Sequence, residues 1–164
     1  MASLRCRSVS VFLSLLGTVV VLQGCEAPSA APPMEERAAA EFYPSSGALP
    51  PDLPFSEAVR VGDLVILSGQ VGVEPGSLDL VEGGVAAEAR QTMENIRSVL
   101  EANGLSMKDV VKCTVMLDDI SQWAAFNEVY SEFFEPPYPA RSAFGADGLA
   151  IGAAVEVECQ AAVR

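Results

Sequence analysis

Arg141 is the side chain best placed to recognise an anion. It follows Pro136-Pro137-Tyr138-Pro139, a run that forces extended chain, and precedes a short β-prone segment at Ser142–Phe144. A guanidinium fixed there offers a planar fork that takes a carboxylate through two parallel hydrogen bonds. By itself such an arginine is more often a structural ion-pair residue. Glu156 and Glu158 stand two apart, so an extended strand turns both to one face, about 7 Å apart. On a solvated face they are ordinary surface carboxylates. On a face covered by another subunit, one of them would be partly desolvated, its pKa would rise, and it could act as general acid or base. Ser68 has no visible base to activate it as a nucleophile. Gly69 and Gly72 make no phosphate loop, because the required Lys is absent. The chain contains no histidine, which removes Ser-His-Asp triads, Cys-His dyads and histidine metal ligands together. Cys6, Cys25, Cys113 and Cys159 form no Cys-x-x-Cys pair, so no zinc spacing exists.

These groups need a scaffold, and the composition supplies one. Of 164 residues, 50% are hydrophobic and 20% charged, enough apolar surface for one folded domain. Ten basic residues against 22 acidic ones give a net charge of −12, which argues against a nucleic-acid-binding face.

Two short apolar runs, Ala58–Val61 and Leu64–Ser68, flank Gly62-Asp63 and read as a hairpin. A glycine-rich loop follows, from Gly69 to Gly84. Ala89, Met93, Ile96 and Leu100 then fall on one helical face, and Gly104 after Asn103 stops that helix. Val110–Leu117 alternates as a strand with Val111, Cys113, Val115 and Leu117 on one side. A second helix is expected over 121–134, with Trp123, Phe126, Tyr130, Phe133 and Phe134 as an apolar, core-forming cluster. Ala154–Val163 alternates again and closes the order β-β-α-β-α-β-β. One sheet with two helices on a single face is the economical arrangement, an α+β fold. Its uncovered face and strand edges would be covered by subunit association. Cys113 and Cys159 lie on the apolar faces of their strands. They pack there as small hydrophobes, or form a disulfide if the strands are neighbours.

The N-terminal part reads as an address. Arg5 and Arg7 precede an uncharged apolar stretch, Val9–Leu22, too short for a spanning helix. It ends in Leu22-Gln23-Gly24-Cys25, which resembles a bacterial lipobox. That resemblance implies cleavage of residues 1–24, acyl chains on Cys25, and a membrane-anchored protein of the cell envelope, facing the outer membrane or periplasm in a Gram-negative cell. An ordinary secretory signal or an uncleaved anchor, with Cys25 incidental, is the alternative. Residues 25–52, rich in Pro and Ala, read as a tether, and 53–164 as the folded domain.

Across 53–164 the chain resembles the Rid family (YjgF/YER057c/UK114). The resemblance rests on LPFSEAVRVGDLVILSGQ (53–70), EARQTMENIRSVLEANGLSMKDVVKCTVMLDD (88–119), FNEVYSEFF (126–134), PARS (139–142) and VEVE (155–158). It implies a chorismate-mutase-like α+β unit of six strands that forms homotrimers, with ligand clefts between subunits. It also implies hydrolytic deamination of enamine/imine intermediates of the 2-aminoacrylate type to 2-oxo acids and ammonia, with no metal or cofactor. Arg141 matches the arginine that grips the substrate carboxylate, and Glu156 the acid that handles the attacking water. Ser68 and Gly69 match the segment that hydrogen-bonds ligand, and Asn127 and Tyr130 match helix positions near the cleft. Phe55 stands where relatives carry a cleft tyrosine, so a hydroxyl is lost there. Ala143 replaces a common cysteine and leaves a backbone N–H. Ala150 replaces a common proline. The lipoprotein signal departs from relatives that are mostly cytosolic. A lipid-tethered trimer that binds a small carboxylate or a protein without turnover is the second reading. Ribonuclease activity, a name carried by some relatives, is disfavoured by the negative charge.

Overall fold

The structure, a computed structural model, describes residues 39–163. Cys25, the signal segment and most of the expected tether lie outside the described residues. Seven strands form one sheet: β1 (Ala40–Phe42), β2 (Ala58–Val61), β3 (Leu64–Leu67), β4 (Gln70–Val71), β5 (Val110–Leu117), β6 (Ala140–Gly145) and β7 (Val155–Ala162). Two helices, α1 (Gly84–Ala102) and α2 (Trp123–Ser131), accompany them. The strand order is β1-β2-β3-β7-β5-β6, with β4 also paired to β7. This is the α+β architecture expected from the sequence.

The hairpin forms where expected, with Gly62 at φ 60°, a conformation that a tight two-residue turn needs and glycine adopts freely. α1 ends at Asn103, and Gly104 at φ 73° lets the chain turn back so that Leu105 N–H bonds the Leu100 carbonyl. The helix buries the predicted stripe Ala89, Met93, Ile96 and Leu100 against Val65, Leu67, Val115 and Val157. Neighbouring strands are antiparallel except β5 and β6, which are parallel because α2 forms the crossover between them. That crossover lays α2 over the edge strand β6. Both helices cover one sheet face. The other face exposes Phe42, Val61, Ile66 and Phe144, each more than 40% accessible.

Four expectations are corrected. First, the tether does not extend to residue 52. Ala40–Phe42 pairs with β2, and Ala48 and Leu49 are buried. The buried Glu57 carboxylate is the cause. It accepts N–H bonds from Ser46 at 2.6 Å and Leu49 at 2.9 Å, folding 45–49 back onto the domain. Second, Val111 does not share the face of Cys113. The ladder to β7 shifts between Val110 and Lys112, so Val110 turns inward and Val111 outward, as a bulge dictates. Third, the glycine-rich segment after Ser68 contains β4, which the two-residue length of its pairing hides from any periodicity. Fourth, α2 is shorter than 121–134. A 3-10 turn, Ile120–Gln122, leads into it, and it ends at Ser131.

Cys113 and Cys159 face each other directly in the β5–β7 ladder, with Cα atoms 4.1 Å apart, and form a disulfide across 46 residues of sequence. The pairing depends on register between two strands separated by α2 and β6, which no local pattern reveals.

Candidate active site

Arg141 sits second in β6, in register with Cys113, and therefore points to the helix-covered face. Its guanidinium carbon lies 4.5 Å from the ring centroids of both Trp123 and Tyr130. Its Nη2 donates to Asn127 Oδ1 at 2.9 Å. Positions 123, 127 and 130 fall on one stripe of α2 by helical spacing, so a single helix face supplies all three contacts. Among the described residues no carboxylate pairs with Arg141; the ion pairs are Arg90–Glu132 and Arg97–Glu94. A cation held by π faces and an amide keeps its charge available to an incoming anion.

Tyr130 is buried, and its hydroxyl has no hydrogen-bond partner. Burial pushes its phenol up to about 12, although the Arg141 charge pulls the other way. It is a neutral ring in any physiological state. Asn127 orients Arg141 through its amide oxygen. Ala143, two residues on in β6, is exposed at the sheet edge.

Glu156 lies on the opposite side of the sheet. It is paired with Met116 of β5 and Val71 of β4, and alternation turns it away from Val155 and Val157, which are buried on the helix side. It is half-buried. Burial raises its carboxyl pKa above the usual range, and the nearby Glu158 charge adds to the rise. Gly69 makes room for it: a methyl group built on Gly69 would run into the Glu156 carboxylate. Ser68 is adjacent, but its hydroxyl donates to the Ser56 carbonyl at 2.7 Å, so only its acceptor capacity remains for a ligand. Phe55 is half-exposed and lines a cavity of about 220 Å³ with Tyr43, Leu53 and Glu57. A larger groove of about 620 Å³ runs beneath the Pro run, from Met107 to Pro139, and none of the expected site residues lines it.

Apart from Phe55, which stands by the smaller cavity, the expected residues gather in two groups. Arg141, Asn127, Tyr130 and Ala143 belong to the helix side of the β6 edge, and Glu156, Ser68 and Gly69 to the β4–β7 region. Within one chain the guanidinium and the carboxylate face opposite sides of the same sheet. Helical spacing predicts that Trp123 joins the core, and it does pack at the core's margin. The structure leaves it half-buried against Arg141, and its helical spacing to Asn127 and Tyr130 was the available signal. Among the described residues no group of three or more Cys, Asp or Glu side chains comes together to hold a metal.

A family model described as Endoribonuclease L-PSP matches residues 46–163. A Capra hircus protein named 2-iminobutanoate/2-iminopropanoate deaminase is 44% identical over 105 residues, covering 64% of this chain and 77% of the relative. The Homo sapiens protein of the same name is 42% identical over 108 residues, covering 66% of this chain and 79% of the relative. The crystal structure of RidA from an Antarctic Psychrobacter superposes with a TM-score of 0.70 at 39% identity, over 75% of this chain and 99% of that one.

Proposed function

The chain belongs to the endoribonuclease L-PSP family, the Rid family that its motifs resemble, and from that premise we propose that it deaminates small 2-imino acids by hydrolysis. The observation that carries this reading is the pair of groups set on the two sides of one sheet. One is a guanidinium with no neutralising carboxylate. The other is a half-buried carboxylate with a raised pKa. The substrate carboxylate pairs with the free edge of Arg141, which fixes the imine carbon for attack. Glu156, as a carboxylate, takes a proton from water as the C–O bond forms at that carbon. That proton passes to the nitrogen to give a carbinolamine; Glu156 then moves the carbinolamine hydroxyl proton to the nitrogen as the C=O bond forms and the C–N bond breaks, so that a 2-oxo acid and ammonia leave.

Within one copy the two groups face opposite sides of the sheet. The working site therefore takes Arg141 from one copy and Glu156 from the next. The apolar open face and the unpaired edge of β6 support such association, and the ring that the resemblance implies is a homotrimer. The same reading anchors the protein to the cell envelope through lipid on Cys25. The Cys113–Cys159 disulfide supports an oxidising compartment, since such bonds persist there and are rare in the cytosol.

The test is a coupled assay on the full-length protein. An amino-acid lyase releases 2-aminoacrylate in the cuvette, and pyruvate formation is followed. Wild type should accelerate it, while Arg141→Ala and Glu156→Gln each should not. Co-assembly of the two variants should recover activity at about a quarter of the sites, the share that combines an intact Arg141 with an intact neighbouring Glu156. No recovery from properly mixed oligomers would end the shared-site reading. Saturable binding of a 2-oxo acid without turnover by wild type would favour the non-catalytic binding module instead.

A further inference from the structure

The grip on Arg141 has an unusual composition. A buried or half-buried guanidinium ordinarily takes a carboxylate partner, which satisfies its donors and cancels its charge. Here α2 supplies two aromatic faces at 4.5 Å and one amide oxygen at 2.9 Å, and no negative charge. Asn127 uses hydrogen from one terminal nitrogen. The ring contacts at Trp123 and Tyr130 restrict the guanidinium without consuming its donors. The remaining N–H groups stay free in a fixed orientation. Tyr130 is buried and is held by the core through Phe126 and Phe134, whose ring centroids lie 5.6 and 4.8 Å away. Trp123 is half-buried at the start of α2 and closes the grip from the opening of the helix.

We propose that Trp123 is a positioning residue for substrate binding. Its indole face, with Tyr130, fixes the guanidinium of Arg141 so that the edge not used by Asn127 meets the carboxylate of a small 2-imino acid already aligned. The assignment rests on the deaminase reading above. A π face is what the position requires, because an aliphatic side chain of similar bulk would fill the space without holding the cation.

The chain contains one tryptophan, so its fluorescence reports this position alone. The full-length protein is titrated with 2-oxobutanoate, a stable carboxylate of the product class, and binding is read both by emission and by calorimetry. Wild-type emission should change saturably, with the midpoint matching the calorimetric one, and Arg141→Ala should abolish the change. By calorimetry, Trp123→Leu should bind about tenfold more weakly and Trp123→Phe within about twofold of wild type. In the lyase-coupled assay the Leu variant should lose activity through KM, with kcat changed much less. A purely structural role predicts a lower Tm but unchanged affinity per folded molecule in Trp123→Leu, and that result overturns the proposal. So does a Phe variant as weak as the Leu variant. If wild type neither binds 2-oxobutanoate nor hydrolyses 2-aminoacrylate, the deaminase reading falls and the assignment of Trp123 with it. If wild type does both and Trp123→Leu equals it, the assignment alone falls.

Discussion

Glu156 gains its chemical character from two neighbours of different kinds. Partial burial withholds the water that would stabilise its charge, and Glu158 on the same face repels it. Burial is the larger cause. In the proposed role of base it works only when ionised, so activity should fall as pH drops through its raised pKa, at a higher pH than for an ordinary glutamate. Glu158→Gln removes the smaller cause and should move this acid limb to lower pH by part of the shift. A pH–rate profile of kcat/KM for both proteins checks this, and an unmoved limb would assign the titration to another group. The stability effect has the opposite sense to that of a salt-bridged carboxylate. The folded state holds its proton more tightly than the unfolded one, so this residue's contribution is fully present below the ordinary glutamate range. It is lost as pH rises through the raised value.

At the scale of elements, two glycines next to β4 do different work. Gly69 has ordinary φ, and the obstacle to a side chain there is the mobile end of Glu156. Gly72 faces backbone: a methyl group would lie 2.6 Å from Glu88 Cα and 2.7 Å from its carbonyl oxygen, in the close contact of α1 with the strand segment. Gly69→Ala should therefore leave stability nearly intact while displacing the carboxylate, costing up to about 10²-fold in kcat, the scale of an ångström-size misplacement. Gly72→Ala should lower stability by about 1–3 kcal/mol through overpacking. Denaturant melts and the lyase assay on the two variants separate the effects; equal melting midpoints would refute the distinction. The same α1 region is tied to the residue just before β7 by Glu88, whose buried carboxylate accepts the Ala154 N–H at 2.7 Å, and to β4 and the segment after it by Asn95, which donates to the Val71 and Val73 carbonyls. These bonds hold the backbone on both sides of Glu156.

At the scale of the whole molecule, the described fold begins earlier than composition suggests, at β1, so on the proposed lipid-anchor reading only the residues between Cys25 and Ala40 are left to act as a tether. Fully extended it spans at most about 50 Å. A lipid-anchored trimer would then sit close to its membrane, held by up to three lipidated chains and hence firmly. In a bacterial host the full-length protein should incorporate labelled fatty acid and sediment with membranes. Cys25→Ser should lose the label and shift to the soluble fraction. Label retained on the Ser variant would remove the anchor from the reading. The net charge of −12 suits a small anionic ligand only because Arg141 supplies a fixed local cation.

Local order was legible wherever a residue's neighbours along the chain decide its conformation. The Gly62-Asp63 hairpin, the stripe from Ala89 to Leu100 with its Gly104 stop, and the alternation of Val155 through Ala161 are all of this kind. The motifs around Ser68, Arg141 and Glu156 were legible as a resemblance for the same reason: they are contiguous strings. What the sequence could not disclose depends on register and on packing between distant segments. The bulge that turns Val111 outward, the Cys113–Cys159 pairing and the burial of Ala48 under Glu57 are set by contacts between separate elements. So is the stacking of Trp123 on Arg141. Above all, only the tertiary structure decided that Arg141 and Glu156 face opposite sides of one sheet. Strand alternation assigns each residue to one of two faces, but which face is covered, and by which helix, is fixed when α2 crosses from β5 to β6.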